Sequence, residues 1–296
     1  MGAAAKVGYG LKAAACLVLA AAGWLGGATH YVTITGLGGE PDYEQRFAGW
    51  GKDIGKALEG EARVRTLIAP GRDHVRAAFE EVAREAKPDD ALVVMLIGHG
   101  TFDGLEYKFN LPGRDLSAAE LAGMLDRVPA ARQLVVNMTS ASGGSLAALA
   151  KPQRMVIAAT KSGTEKNATV FARYWAEALR DPAADTDKNE TVSALEAFQY
   201  AERKTKAFYE TEKRIATEHA VLEDKGAAAF PLLRLGANAA ASRDPAKMGL
   251  LAKKEELEQR IDRLKYQKAA IPADEYKKQL MALLLELART QEELDK

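Results

Sequence analysis

Apolar positions along this chain follow two alternating rhythms. Short runs at Tyr31 to Thr35, Ala62 to Ala69, Leu92 to Ile97, Gln133 to Val136 and Met155 to Thr160 are too brief for helices, and the Leu92 and Gln133 runs stop abruptly at small and polar residues. Such runs read as strands buried on both faces. Between them the spacing switches to three and four, through Phe47, Trp50, Ile54 and Leu58, then Val75, Phe79 and Val82, then Leu121, Leu125 and Val128. Ser117 and Glu120 precede the third set as a capping box, and a further helix is expected from about Gly144. Strand alternating with helix predicts a three-layer, mostly parallel α/β sheet.

The pattern changes after residue 160. From Val192 to Leu222 the chain is charged and reads as one long helix, with Phe198, Ile215 and Leu222 as partial anchors. Phe230 to Leu235 is a last strand, which Pro231 consigns to an edge. Gly236 to Lys247 is polar and small, the composition of a linker. Beyond it lie two helical stripes, Leu250, Leu257, Ile261 and Leu264, then Tyr276, Leu280, Leu283 and Leu287, separated at Pro272 with Asp274 as the expected N-cap. They predict a helical hairpin, or a coiled coil that makes the protein a homo-oligomer. The expected units are therefore residues 29–235, a linker at 236–247 and a hairpin at 248–296.

Composition narrows the function classes. Of 296 residues, 47% are apolar, and 41 basic side chains balance 41 acidic ones. A neutral chain has no basic field to attract nucleic acid. The one cysteine, Cys16, allows no internal disulfide and no cysteine metal site. Residues 1–28 read as a leader: Lys6 and Lys12 precede an apolar stretch, Ala13 to Leu25, and Gly26-Gly27-Ala28 supplies small residues for cleavage. The stretch is shorter than the roughly 20 residues that span a bilayer. Two expectations follow: an exported protein, periplasmic or secreted, or one anchored to the membrane through a retained leader.

Candidate chemistry gathers at two strand ends. Leu92 to Ile97 runs into Gly98-His99-Gly100, and Gln133 to Val136 runs into Asn137-Met138-Thr139-Ser140-Ala141-Ser142-Gly143-Gly144. In an open α/β sheet, ligands and catalytic groups collect at such carboxyl ends. These residues resemble the caspase–haemoglobinase peptidases, most closely their legumain-like branch, in which a His-Gly follows one strand and a nucleophilic cysteine follows the next. The resemblance spans roughly residues 30 to 235. It implies a caspase/legumain-like fold, with His99 as the imidazole and the Gly100 and Ser140 backbone N–H groups as oxyanion donors. Ser140 stands where that family has its cysteine.

That exchange governs the functional expectation. A thiol readily supplies thiolate, whereas a serine hydroxyl needs an aligned base held by a third group. The resemblance thus implies a peptidase homologue with impaired catalysis that binds a peptide or protein. The alternatives are an active Ser140/His99 hydrolase and a structural envelope protein in which the α/β unit is a scaffold. Thr139 and Ser142 offer further hydroxyls, which also suit a sharp turn. No cofactor is required.

A second constellation suggests calcium. Asp185, Asp187 and Asn189, the Thr191 carbonyl and Glu196 occupy positions one, three, five, seven and twelve of an EF-hand-like loop. Glu190 departs from it where a glycine is needed for positive φ. Ser193 and Glu196 also form a capping box, so the same residues suit a plain helix start. Glu218 and His219 read as surface groups on a charged helix, and His30 and His74 as structural.

Overall fold

The computed structural model describes residues 27–61, 63–223 and 226–296. The expected leader lies outside them up to residue 26. No helix among the described residues is long and apolar enough to cross a membrane.

The chain opens with β1 (Thr29–Thr35), α1 (Pro41–Ala57), β2 (Val64–Ile68), α2 (Arg72–Glu85) and β3 (Ala91–Ile97). A small antiparallel sheet follows, made of β4 (Gly100–Phe102), β5 (Tyr107–Phe109) and β6 (Leu116–Ser117). Then come α3 (Ala118–Leu125), β7 (Arg132–Asn137), α4 (Leu146–Leu149), β8 (Arg154–Ala158) and α5 (Phe171–Ala178). The last part holds β9 (Thr191–Ser193), α6 (Ala194–Thr211), β10 (Val221–Glu223), β11 (Pro231–Arg234), α7 (Gly236–Ser242), α8 (Met248–Tyr266) and α9 (Ala273–Leu294).

The main sheet has the order β10-β8-β7-β3-β1-β2 and is parallel except for β10. Alternation along each strand divides the core. Tyr31, Val93, Met95 and Ile97 pack on the side of α1, α5 and α6. Val32, Ile34, Leu92, Val94 and Leu96 pack on the side of α2 and α3. Both faces are covered, which is why the central β3 run is apolar at every position. The expected three-layer α/β architecture is what forms. Ser117 and Glu120 close their capping box at the start of α3.

Three local expectations are corrected. The charged run is not one helix: α6 ends at Thr211, Lys213 takes a left-handed φ of 52°, and the chain returns as β10 against β8. Ile215 is consequently 89% exposed and anchors nothing. The strand at 231–234 is the expected edge strand, and it pairs with the three-residue β9 in a two-stranded sheet of its own. The expected linker contains α7, in which Asn238 is buried because its amide donates to the Asn189 carbonyl (2.9 Å) and its oxygen accepts from Lys254 Nζ (3.0 Å). Asp274 lies inside the first turn of α9, after Pro272 at the N-cap.

The hairpin forms with the faces the stripes predict. Leu257, Ile261 and Leu264 of α8 meet Leu283, with Tyr276, Leu280 and Leu287 around them. It also docks on the α/β unit, where Arg234 makes a two-pronged ion pair with Glu255 (2.8 and 3.1 Å).

Candidate active site

Parallel pairing of β3 with β7, Leu96 opposite Asn137, brings the two expected motifs to neighbouring strand ends. Gly98 leaves β3 at φ 150°, where an added Cβ would lie 3.2 Å from Gly36. That close approach of β1 and β3 turns the following residue out of the sheet. His99 emerges toward α1, and its ring sits edge-on to Tyr43 (4.8 Å) and Phe47 (5.1 Å). Burial holds its pKa below the usual imidazole value, against the opposing pull of a hydrogen bond with the Gly38 backbone and the charge of Glu40. The imidazole is therefore neutral at neutral pH.

Ser140 points elsewhere. It is 2% exposed. The Gly100 N–H donates to Ser140 Oγ (3.0 Å), and the hydroxyl donates back to the Gly100 carbonyl (3.1 Å). No hydrogen bond joins it to His99 among the described residues. Tyr107 covers the pair so closely that a Cβ on Gly100 would meet its ring at 2.5 Å and the Ser140 carbonyl at 2.6 Å, so position 100 requires glycine. Ala141 follows in left-handed backbone, φ 54°, which marks a tight turn. Thr139 bonds Asn137 Oδ1 (2.8 Å) and Tyr107 Oη (2.6 Å), and Ser142 bonds Thr160 (3.1 Å). Each of these hydroxyls is committed to the turn.

The expected dyad residues thus stand at neighbouring strand ends, and no hydrogen bond links their side chains among the described residues. Gly100 and Ser140 satisfy one another, so the expected oxyanion N–H of Gly100 already has a serine oxygen on it. Among the described residues no base is hydrogen-bonded to Ser140, whose hydroxyl is engaged by Gly100 instead.

Across Tyr43 from His99 the surface opens into a cleft of about 710 Å³ between α1, the start of α5 and the end of α6. Tyr43, Trp50 and Phe208 form apolar walls, and Arg46, Arg173 and Arg214 stand around them. Arg46 pairs with Asp42, and Arg173 lies over the Tyr174 ring at 5.3 Å. Glu218 pins the far wall. It is 4% exposed, not a surface group as the sequence suggested. Its carboxylate accepts from the Val170 N–H (2.8 Å), the Phe171 N–H (3.2 Å) and Tyr209 Oη (2.9 Å). Burial pushes its pKa up to about 7. Its amide partners lie 47 and 48 positions upstream, so no local pattern could reveal it. His219 does face solvent, with Nδ1 2.6 Å from Glu165.

The calcium expectation rests on residues that do converge. Ligand oxygens of Asp185, Asp187 and Glu196 lie within 4.8 Å of one another. Glu190 adopts the positive φ (63°) that a glycine was expected to supply, while its carboxylate accepts from Ala237 N–H at the start of α7 (3.0 Å). The oxygens have protein partners too. Asp185 accepts from the N–H groups of Asn189 and Glu190, and Glu196 serves Thr186 on one oxygen and Ser193 on the other. Asn189 bonds Asp187, and Thr191 lies on β9. Burial and the neighbouring Glu196 charge push Asp187 up to about 6.

No family model matches this chain, and no curated protein matches it. Among solved structures it is similar to caspase-1 from Spodoptera frugiperda, at 12% sequence identity and a TM-score of 0.45, over 71% of this chain and 88% of that one.

Proposed function

We infer that this protein is a non-hydrolysing, peptidase-like binding protein that holds an acidic peptide segment in the cleft beside His99. The observation that carries the reading is the closed pair of Ser140 and Gly100, which engages both the Ser140 hydroxyl and the Gly100 N–H. The motif resemblance to legumain-like peptidases supports a peptide as the ligand. The guanidinium groups of Arg46, Arg173 and Arg214 around aromatic walls favour a segment with carboxylates and an apolar side chain.

The test is fluorescence anisotropy with labelled acidic, neutral and basic peptides. Acidic peptides should bind most tightly, weaken with salt, and lose about tenfold or more in affinity with Arg173→Glu combined with Arg214→Glu. Equal affinity for basic peptides, or indifference to the double variant, would overturn the ligand assignment.

A calcium ion at the Asp185, Asp187 and Glu196 cluster is a separate proposal, supported by the convergence of those oxygens and the raised pKa of Asp187. Millimolar calcium should then raise the melting temperature, since an ion that binds only the folded state stabilises it, and Asp187→Asn should remove the rise. An unchanged melting curve would leave the loop as a helix cap alone.

A further inference from the structure

The hairpin leaves one helix face without a partner. α9 uses Leu283 and its neighbours against α8, yet Met281, Leu284 and Leu285 stay 68%, 43% and 53% exposed, and Ala288 is exposed beside them. Their spacing is i, i+3, i+4, i+7, which puts all four on one stripe. This stripe was not evident from the sequence, where the Tyr276 to Leu287 face was expected to carry any oligomer. That face is consumed within the chain.

The stripe matches itself when reversed. A two-fold axis between Leu284 and Leu285 exchanges these two residues and brings Met281 opposite Ala288 of a second copy. One turn further out, the same axis places Lys277 opposite Glu292, and both are exposed. A parallel arrangement would set Lys277 and Lys278 against their own copies, like charge on like. Asp274 and Asp295 would meet in the antiparallel pair, but only at the helix ends, where side chains splay into solvent. We propose that two copies of this chain associate through antiparallel α9 helices, centred on Leu284 and Leu285 and kept in register by Lys277–Glu292 pairs.

The surface sets the strength. α9 has 22 residues, so it is roughly 33 Å long, and a single helix pair of that length falls below the roughly 1,200 Å² of a standard specific interface. Association should therefore be reversible, half complete at roughly 10–100 µM protein.

Sedimentation of the full chain over a concentration series tests this. Wild type should move from monomer to dimer, and Leu284→Glu with Leu285→Glu should stay monomeric with an unchanged melting temperature, because both positions face solvent. Lys277→Glu or Glu292→Lys alone should weaken the dimer by about threefold to tenfold, and the two together should restore it. Orientation is read by disulfide trapping in a Cys16→Ser background. Lys277→Cys chains should crosslink to Glu292→Cys chains when mixed, and neither should crosslink to itself. Self-crosslinking of Lys277→Cys, a dimer untouched by the Leu284 and Leu285 charges, or a monomer at every concentration would each overturn the proposal.

Discussion

Ser140→Ala is expected to destabilise the protein while leaving its activity where it was. The substitution removes a hydroxyl that satisfies both the N–H and the carbonyl of Gly100 beneath Tyr107. A buried backbone group left without its partner costs about 1–3 kcal/mol, so a loss of about 2 kcal/mol in a urea titration is the expected result. Peptide hydrolysis should be at background before and after. Ser140→Cys is the sharper case, because a thiol carries its own reactivity. It too should stay at background, since the His99 ring packs on Tyr43 and Phe47 of α1 and no hydrogen bond joins it to position 140. Turnover by wild type that disappears in Ser140→Ala would make the protein a serine hydrolase and remove the basis for a binding function.

Glu218 should give the protein an unusual pH dependence. Its carboxyl has an ordinary value of 4.5 and is pushed up to about 7 in the folded state. Between those values the folded protein keeps a proton that the unfolded chain has released. Stability therefore falls as pH rises through that window, by up to roughly 3 kcal/mol for this group. Asp187, raised to about 6, and Glu258, raised to about 7, act in the same sense. Carboxylates held below their usual range, such as Asp90 beside His30 and Arg63, act oppositely and withdraw their support only as pH falls through their folded values. Glu218 should thus lower the urea midpoint between pH 5.5 and pH 7.5, against the opposite contribution of the His30 and His99 imidazoles, which burial keeps below their usual range. Glu218→Gln should flatten that slope, whereas Glu218→Ala, which strands the Val170 and Phe171 N–H groups, should destabilise at every pH. A Gln variant with the same slope as wild type would show that the Glu218 proton is not involved.

These two residues mark where sequence reading succeeds and stops. Strands such as Leu92 to Ile97 and the helix through Phe47, Trp50 and Ile54 were legible because burial imposes a period that depends only on local spacing. The capping box at Ser117 and the faces of the hairpin were legible for the same reason. The neighbourhood of positions 99 and 140 could be anticipated from two runs ending in small residues. Where those side chains point could not, because Tyr43 and Phe47 draw one ring toward α1 while Gly100 and Tyr107 enclose the other hydroxyl. β9 and β10 were missed as well, each being three residues long and paired with distant partners. Glu190 takes a backbone conformation that a glutamate seldom adopts. It is held there by Asp185, which receives its N–H, and by the start of α7, which its own side chain caps.

The short β10 has a bearing on solubility. Without Val221 to Glu223 alongside it, β8 would end the sheet with a row of open N–H and carbonyl groups and apolar flanks, a template onto which another chain could add. The segment that carries β10 into place passes through Glu218, whose grip on the start of α5 holds it. Loosening that grip would therefore expose a sheet margin as well as widen a cleft, and a Glu218→Ala preparation should show its defect first as turbidity on concentration, before any general loss of helix.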